Sequence, residues 1–175
     1  MTRSRSAVGP IDGAYLDSVS AVIWMPGPRY LLQHREDREG VTYPNWWSLF
    51  GGGCELGETA EATLRRELLE ELDFQIGDCK PLIGCTFDLW FEGLSIRKIF
   101  FTVEMTQAEA DKLELREGQG MGWLSFPEIM GRADVVVPYD LGVIALHNSR
   151  VTLEASPVVR RQAAFAGRST VPPSS

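Results

Sequence analysis

The chain has 175 residues and a mass near 19.5 kDa, with 44% hydrophobic and 23% charged residues. That is enough for one domain with a real core, and it excludes a wholly disordered chain. Asp and Glu number 24 against 17 Lys and Arg, a net charge of −7, so the chain lacks the basic footprint that polymeric nucleic acid or an anionic membrane requires.

Residues 1–17 read as a leader of Ser, Arg, Gly and Asp without periodicity. Arg3 and Arg5 stand in it, but no apolar stretch follows as in a secretory signal. Val19, Ala21 and Ile23 alternate with Ser20, Val22 and Trp24 and predict a strand that Pro26-Gly27-Pro28 ends. Tyr30 to Arg35 reads as a second strand, and 36–45 as a polar loop. Trp46 to Phe50 is a short apolar run that stops at Gly51-Gly52-Gly53.

Thr59 to Leu72 is the best helix of the chain, free of Gly and Pro. Leu64, Leu68 and Leu72 recur every four residues, Leu69 widens the stripe, and that face is expected to bury against a sheet. Leu82 to Phe91 and Leu94 to Met105 read as two strands joined at Glu92-Gly93. Thr106 with Glu109, and Ser125 with Glu128, fit the capping box and predict short helices. Pro138 to Asn148 reads as a last helix with Pro in its first turn. Residues 151–175 form an extension that ends in a Gly, Ser, Thr and Pro tail. The expected fold class is α/β, a mixed sheet sandwiched between helices, over 18–150.

Cys54, Cys79 and Cys85 are an odd count without CxxC spacing, which argues against a disulfide framework or a zinc knuckle. No apolar run approaches the ~18 residues of a membrane helix, so a cytoplasmic chain with no membrane partner is expected.

The chemistry concentrates between Gly51 and Phe74. Glu67, Glu70 and Glu71 stand at i, i+3 and i+4 and project from one helical face. Three carboxylates there repel one another unless a divalent cation reverses the sign of that term. Oxygen ligands alone favour a hard ion, Mg²⁺ or Mn²⁺. Read in isolation, the same face also fits a solvated acidic surface partnered by Arg65 and Arg66.

The spacing around the three glutamates decides between these readings. From Gly52 there are five residues to Glu58, seven more to Arg66, then Glu67, Leu68, Leu69, Glu70, Glu71, Leu72, Asp73 and Phe74. This resembles the signature of the Nudix hydrolase superfamily at every specified position except a final Gly, which is Asp73 here. Chance agreement of the other eight is on the order of one in a hundred million per start position. That Gly follows the helix, where φ > 0 is often needed. Asp is among the few other residues that visit this region, at a cost of about 1 kcal/mol.

The resemblance implies an α/β/α sandwich and hydrolysis of a nucleoside diphosphate linked to X, giving a nucleoside monophosphate and phosphorylated X. It implies Mg²⁺, or Mn²⁺, held by Glu67, Glu70, Glu71 and the Gly51 carbonyl, with Glu55 direct or through water. It implies an ion pair of Arg66 with Glu58 that fixes the loop and orients Glu67. Its glycines let the loop backbone approach cation and phosphates.

The stretch Arg116-Glu117-Gly118-Gln119, before Trp123, looks like a segment of the MutT-like branch. The resemblance makes Glu117 a further ligand or general base, with Glu104 and Glu114 as weaker alternatives. Arg35 matches a basic position used near substrate phosphates, and Trp46 is a candidate to stack on a base. His34 and His147 read as structural, and Cys54 has no base partner.

The Glu117 segment leans the substrate toward nucleoside triphosphates, oxidised purines among them, while the 36–45 loop equally suits a nucleotide sugar or ADP-ribose. A non-catalytic Nudix-fold nucleotide-binding regulatory module is the alternative from another class. The partner expected is a small-molecule nucleotide, with the chain a monomer or homodimer.

Overall fold

The structure, a computed structural model, describes residues 18–89 and 94–157. The leader, the Glu92-Gly93 connection and the end of the tail lie outside the described residues. Six strands form one mixed sheet. They are β1 (Ser18–Met25), β2 (Arg29–His34), β3 (Trp47–Ser48), β4 (Lys80–Leu89), β5 (Leu94–Glu104) and β6 (Gly120–Ser125). The helices are α1 (Ala60–Leu72), α2 (Gln107–Ala110), α3 (Phe126–Met130) and α4 (Pro138–Ala155).

β1 lies parallel to β5 over Ser18 to Trp24, and β4 follows β5 antiparallel. The β1–β2 hairpin pairs only Trp24 with Tyr30 and Met25 with Arg29. Beyond that the two strands part, and the stretch from Trp47 to Gly53 enters between them. On one side Ser48 and Trp47 pair with Gln33 and His34; on the other Phe50 and Gly53 bridge to Ala21 and Ser18. This wedge carries the glycine loop to the same end of the sheet as the last residues of β2. β6 runs along β2 from Arg29 to His34. Sequence reading missed β6, whose Gly-Met-Gly-Trp start lacks strand alternation.

Side-chain alternation sends β1 into two cores. Val19, Ala21 and Ile23 pack with Leu64, Leu68 and Leu72 of α1, while Val22 packs with Val143 and Ile144 of α4. All three α1 leucines are fully buried, each burial stabilising the fold by about 2 kcal/mol. Leu69 does not widen that stripe; it is 38% exposed. Residue 69 sits 100° round the helix from Leu68 and turns outward, and Glu71 is buried in its stead.

Both capping boxes form, at Thr106–Glu109 and Ser125–Glu128. Pro138 occupies the first turn of α4, which continues to Ala155, seven residues past the expected end at Asn148. Nothing between Asn148 and Ala155 is Gly or Pro, so no residue there stops the helix. Among the described residues no helix is long and apolar enough to cross a membrane.

Candidate active site

The glycine loop is fixed to β1 by two backbone bonds: Val19 and Ala21 donate their N–H groups to the carbonyls of Gly52 and Phe50, both at 2.9 Å. Between them no described hydrogen bond ends on the Gly51 carbonyl. Gly51 has φ +132°, and a Cβ there would stand 2.4 Å from the Val19 carbonyl oxygen. Gly52 is required for another reason: a Cβ would come within 2.3 Å of the Glu67 carboxylate. One glycine admits the neighbouring strand and the other admits a side chain.

α1 starts at Thr59, whose hydroxyl accepts the Ala62 N–H at 3.2 Å. Glu58, just before the cap, is gripped by Arg66 two turns on, with Nε to Oε1 at 2.9 Å and Nη2 to Oε2 at 3.0 Å. The Glu55 N–H and the Thr63 hydroxyl also donate to Glu58. Arg66 beside it, and these donors, hold the Glu58 carboxyl down at about 2. The same guanidinium donates to the Gly53 carbonyl at 3.0 Å, to Glu67 Oε1 at 2.8 Å and to Glu70 Oε2 at 3.2 Å. One arginine thus ties loop to helix and points Glu67 toward Gly52. Arg65 faces away, bonding Glu61 and the carbonyls of Ile76 and Gly77.

Glu71 is 6% exposed. Its Oε2 accepts the Gly51 N–H at 2.9 Å and its Oε1 the Gln33 amide at 3.3 Å. Burial pushes its carboxyl up to about 8, with the charges of Glu67 and Glu117 adding and the two donors opposing. Glu67 is also raised, first by burial, then by Glu70 and Glu117, against its bond to Arg66. A carboxylate pushed up by burial and by like charges is one that a cation would relieve.

A cavity of about 240 Å³ opens over these groups, lined by Gly51 to Gly53, Glu67, Glu71, Glu117, Gln33 and the loop residues Arg35, Glu36, Arg38 and Val41. Glu117 arrives from the turn before β6, where Gly118 has φ +92° and passes 2.9 Å (as a Cβ) from the His34 carbonyl.

Of the residues singled out in the sequence, the structure brings Gly51, Glu67, Glu71, Glu117 and Arg35 to one cavity. Glu58 and Arg66 sit directly behind it. Glu70 and Glu55 are not among its lining residues; Glu70 is turned to Arg66, and Glu55 offers its backbone N–H to Glu58. Among the described residues no three His, Cys, Asp or Glu side chains converge on one point. A hard cation here would draw on Glu67, Glu71 and Glu117 with the Gly51 carbonyl and the oxygens of water and substrate, which suits Mg²⁺.

Trp46 does not line the cavity; its ring packs 5.2 Å from Tyr43. His34 stacks on Trp47 and His147 meets the Tyr30 hydroxyl at 3.1 Å, both structural positions. Glu104 pairs with Trp24, at the far end of β1 from the loop.

Gln33 was not legible as a site residue. Its signal is a buried amide in the apolar run Tyr30 to Leu32, sharing the face of Leu31 toward α1. Asp140 was also missed. It is 1% exposed, its Oδ2 accepts the Leu49 N–H, and its Oδ1 has no partner among the described residues. Arg35 Nε is likewise buried without a partner.

The model of the NUDIX domain matches residues 14–143. This chain is a Nudix hydrolase. A nucleoside triphosphatase, NudI of Salmonella arizonae, is 32% identical to it over 129 residues, covering 70% of this chain and 86% of that protein. Among solved structures, the MutT protein of Methanosarcina mazei superimposes with a TM-score of 0.65 at 21% identity, covering 78% of this chain and 94% of the other. The Nudix domain of Shewanella oneidensis NrtR, solved with ADP ribose, gives a TM-score of 0.65 at 17% identity, over 79% and 89% of the two chains. These likenesses agree with the mixed sheet between helices. As a Nudix hydrolase the chain acts on phosphoric anhydride bonds.

Proposed function

We propose that this Nudix hydrolase is a metal-dependent nucleoside triphosphate pyrophosphohydrolase. The observation that carries the reading is the crowding of Glu67, Glu71 and Glu117 on one cavity beside the Gly51 carbonyl. Bound Mg²⁺ or Mn²⁺ neutralises both this wall and the phosphates and lowers the pKa of bound water.

The chain's own residues supply the rest. Arg66 and Glu58 hold Glu67 in place, and Gly52 leaves room for it. Glu67, Glu71 and Glu117 would hold the metal, with Glu70 reaching it only by leaving Arg66 or through water, and Glu55, whose bond to Glu58 is made by its backbone N–H, only through water. A water oxygen attacks phosphorus, the anhydride P–O bond breaks, and its electron pair leaves with the outgoing pyrophosphate or nucleoside monophosphate. The proton of that water passes to one of the cavity carboxylates.

Triphosphates are favoured by the similarity to a nucleoside triphosphatase at 32% identity. Arg35, which lines the cavity with its Nε buried and without a hydrogen-bond partner among the described residues, supports binding of the phosphates on that side. Oxidised purine nucleotides belong among the substrates to be tried. An ADP-ribose or nucleotide-sugar hydrolase is the second reading, favoured by the fold likeness to a Nudix domain solved with ADP ribose.

The test is formation of nucleoside monophosphate, with pyrophosphate or the phosphorylated second product, resolved by chromatography over a panel of nucleoside triphosphates, oxidised purine nucleotides, nucleotide sugars and ADP-ribose, each with Mg²⁺, Mn²⁺ or chelator. Metal-stimulated cleavage of triphosphates is expected. Turnover that persists in chelator, or preference for a sugar-capped diphosphate, would sink the reading.

A further inference from the structure

The loop between β2 and β3 has a fixed neck and a lightly held tip. At the neck, the Arg35 N–H donates to the Trp46 carbonyl at 2.9 Å. The Gln119 amide donates to the Arg35 carbonyl and to Asn45 Oδ1, both at 2.7 Å. His34 Nε2 lies 3.0 Å from the Asn45 carbonyl. Beyond the neck the described backbone bonds are longer, Asn45 N–H to the Glu36 carbonyl and Val41 N–H to the Arg38 carbonyl, both at 3.4 Å, while Tyr43 packs on Trp46 and Tyr139.

That tip carries Arg38 to the cavity. Among the described contacts its guanidinium meets only Glu36, two residues earlier, and its side chain is 70% exposed. The cavity's charged lining is otherwise Glu36, Glu67, Glu71 and Glu117, with Arg35 the other cation. Arg66, though near, is committed to Glu58, Gly53, Glu67 and Glu70. Arg35 and Arg38 are therefore the cations the cavity offers to an anionic guest.

An exposed carboxylate–guanidinium pair is a weak hold. A terminal phosphate carries up to two charges and three acceptor oxygens and matches a guanidinium fork in two hydrogen bonds. It would take Arg38 from Glu36.

We propose that Arg38 is a length gauge: held by Glu36 at the cavity mouth, it grips the terminal phosphate of a triphosphate, so that the site prefers a triphosphate to a diphosphate. This deepens the triphosphate reading given above and rests on it for the orientation of the nucleotide.

The test compares binding of inorganic tripolyphosphate and pyrophosphate, each with Mn²⁺, by titration calorimetry. The wild-type chain binds tripolyphosphate more tightly by roughly tenfold, the size of one charge-assisted contact. Arg38→Gln loses that margin by weakening tripolyphosphate more than pyrophosphate, and Glu36→Gln widens it. A wild-type chain without the margin, or an Arg38→Gln variant that keeps it, overturns the proposal. Nucleotide turnover is measured separately: absent triphosphate cleavage with the margin intact removes the function proposed above and leaves the gauge standing.

Discussion

A methyl group on Gly52 would lie 2.3 Å from the carboxylate of Glu67, so the loop and the helix share a space that admits only one of the two. The obstructing atoms are the far end of a side chain, held by one bond to Arg66 rather than by the backbone. Gly52→Ala is therefore expected to swing Glu67 aside with little harm to the fold. Hydrolysis should fall roughly 100-fold, the scale on which a small misplacement of a reacting group acts, while stability changes by less than about 1 kcal/mol. Turnover and thermal melting of one preparation check both halves. Undiminished turnover would show that Glu67 is not needed where it lies.

Gly51 one residue earlier should behave in the opposite way. A Cβ there meets backbone, the Val19 carbonyl oxygen at 2.4 Å, and φ is +132°. Neither the strand nor the dihedral can relax cheaply. Gly51→Ala is expected to cost about 2 kcal/mol or more, read as a lower urea midpoint. A variant as stable as the parent would mean that the wedge between β1 and β2 is looser than its hydrogen bonds indicate.

These neighbouring glycines mark how far sequence reading reaches. Their place in a spaced motif is legible, because Gly, Glu, Arg and Glu recur at distances fixed by one loop and one helix. Which glycine serves backbone and which serves a side chain is not, because that depends on Val19, thirty-two positions before Gly51. The Arg66–Glu58 pair was legible, lying within the motif. Gln33 and Arg38 were not: they reach the cavity only because β2 parts from β1 and β3 enters between them, a long-range event without local periodicity. Leu69 was misread because a stripe two residues wide at one level leaves the core on one side.

Asp73 closes α1 in the left-handed region, φ 51° and ψ 33°, with its N–H on the Leu69 carbonyl and the Phe74 N–H on the Leu68 carbonyl. Asp73→Gly would remove about 1 kcal/mol of backbone cost. It would also remove the contact with Arg116 at 2.7 Å, an exposed pair worth less than about 1 kcal/mol. The expected net change in chemical denaturation runs from neutral to about 1 kcal/mol more stable, with activity unchanged. A clear loss of stability would mean that the Arg116 contact carries more than an exposed pair should, and that the turn leading to Glu117 depends on it.

Glu71 contributes a pH dependence to the stability of the metal-free protein that a single substitution isolates. Burial raises its carboxyl from the ordinary 4.5 to about 8. Between those values the folded chain binds more protons than the unfolded one, so this group's contribution falls as pH rises. It is complete below about 4.5 and lost by the time pH passes 8. In chelator, the wild-type melting temperature should therefore decline across that window relative to Glu71→Gln, whose amide stays neutral and whose oxygen can still accept the Gly51 N–H. Above pH 8, Mg²⁺ should restore the wild type, because the ion binds the deprotonated carboxylate, and should do little for the variant. Parallel melting curves for the two proteins in chelator would remove the buried proton. A variant stabilised by Mg²⁺ as strongly as the wild type would remove Glu71 from the metal ligands.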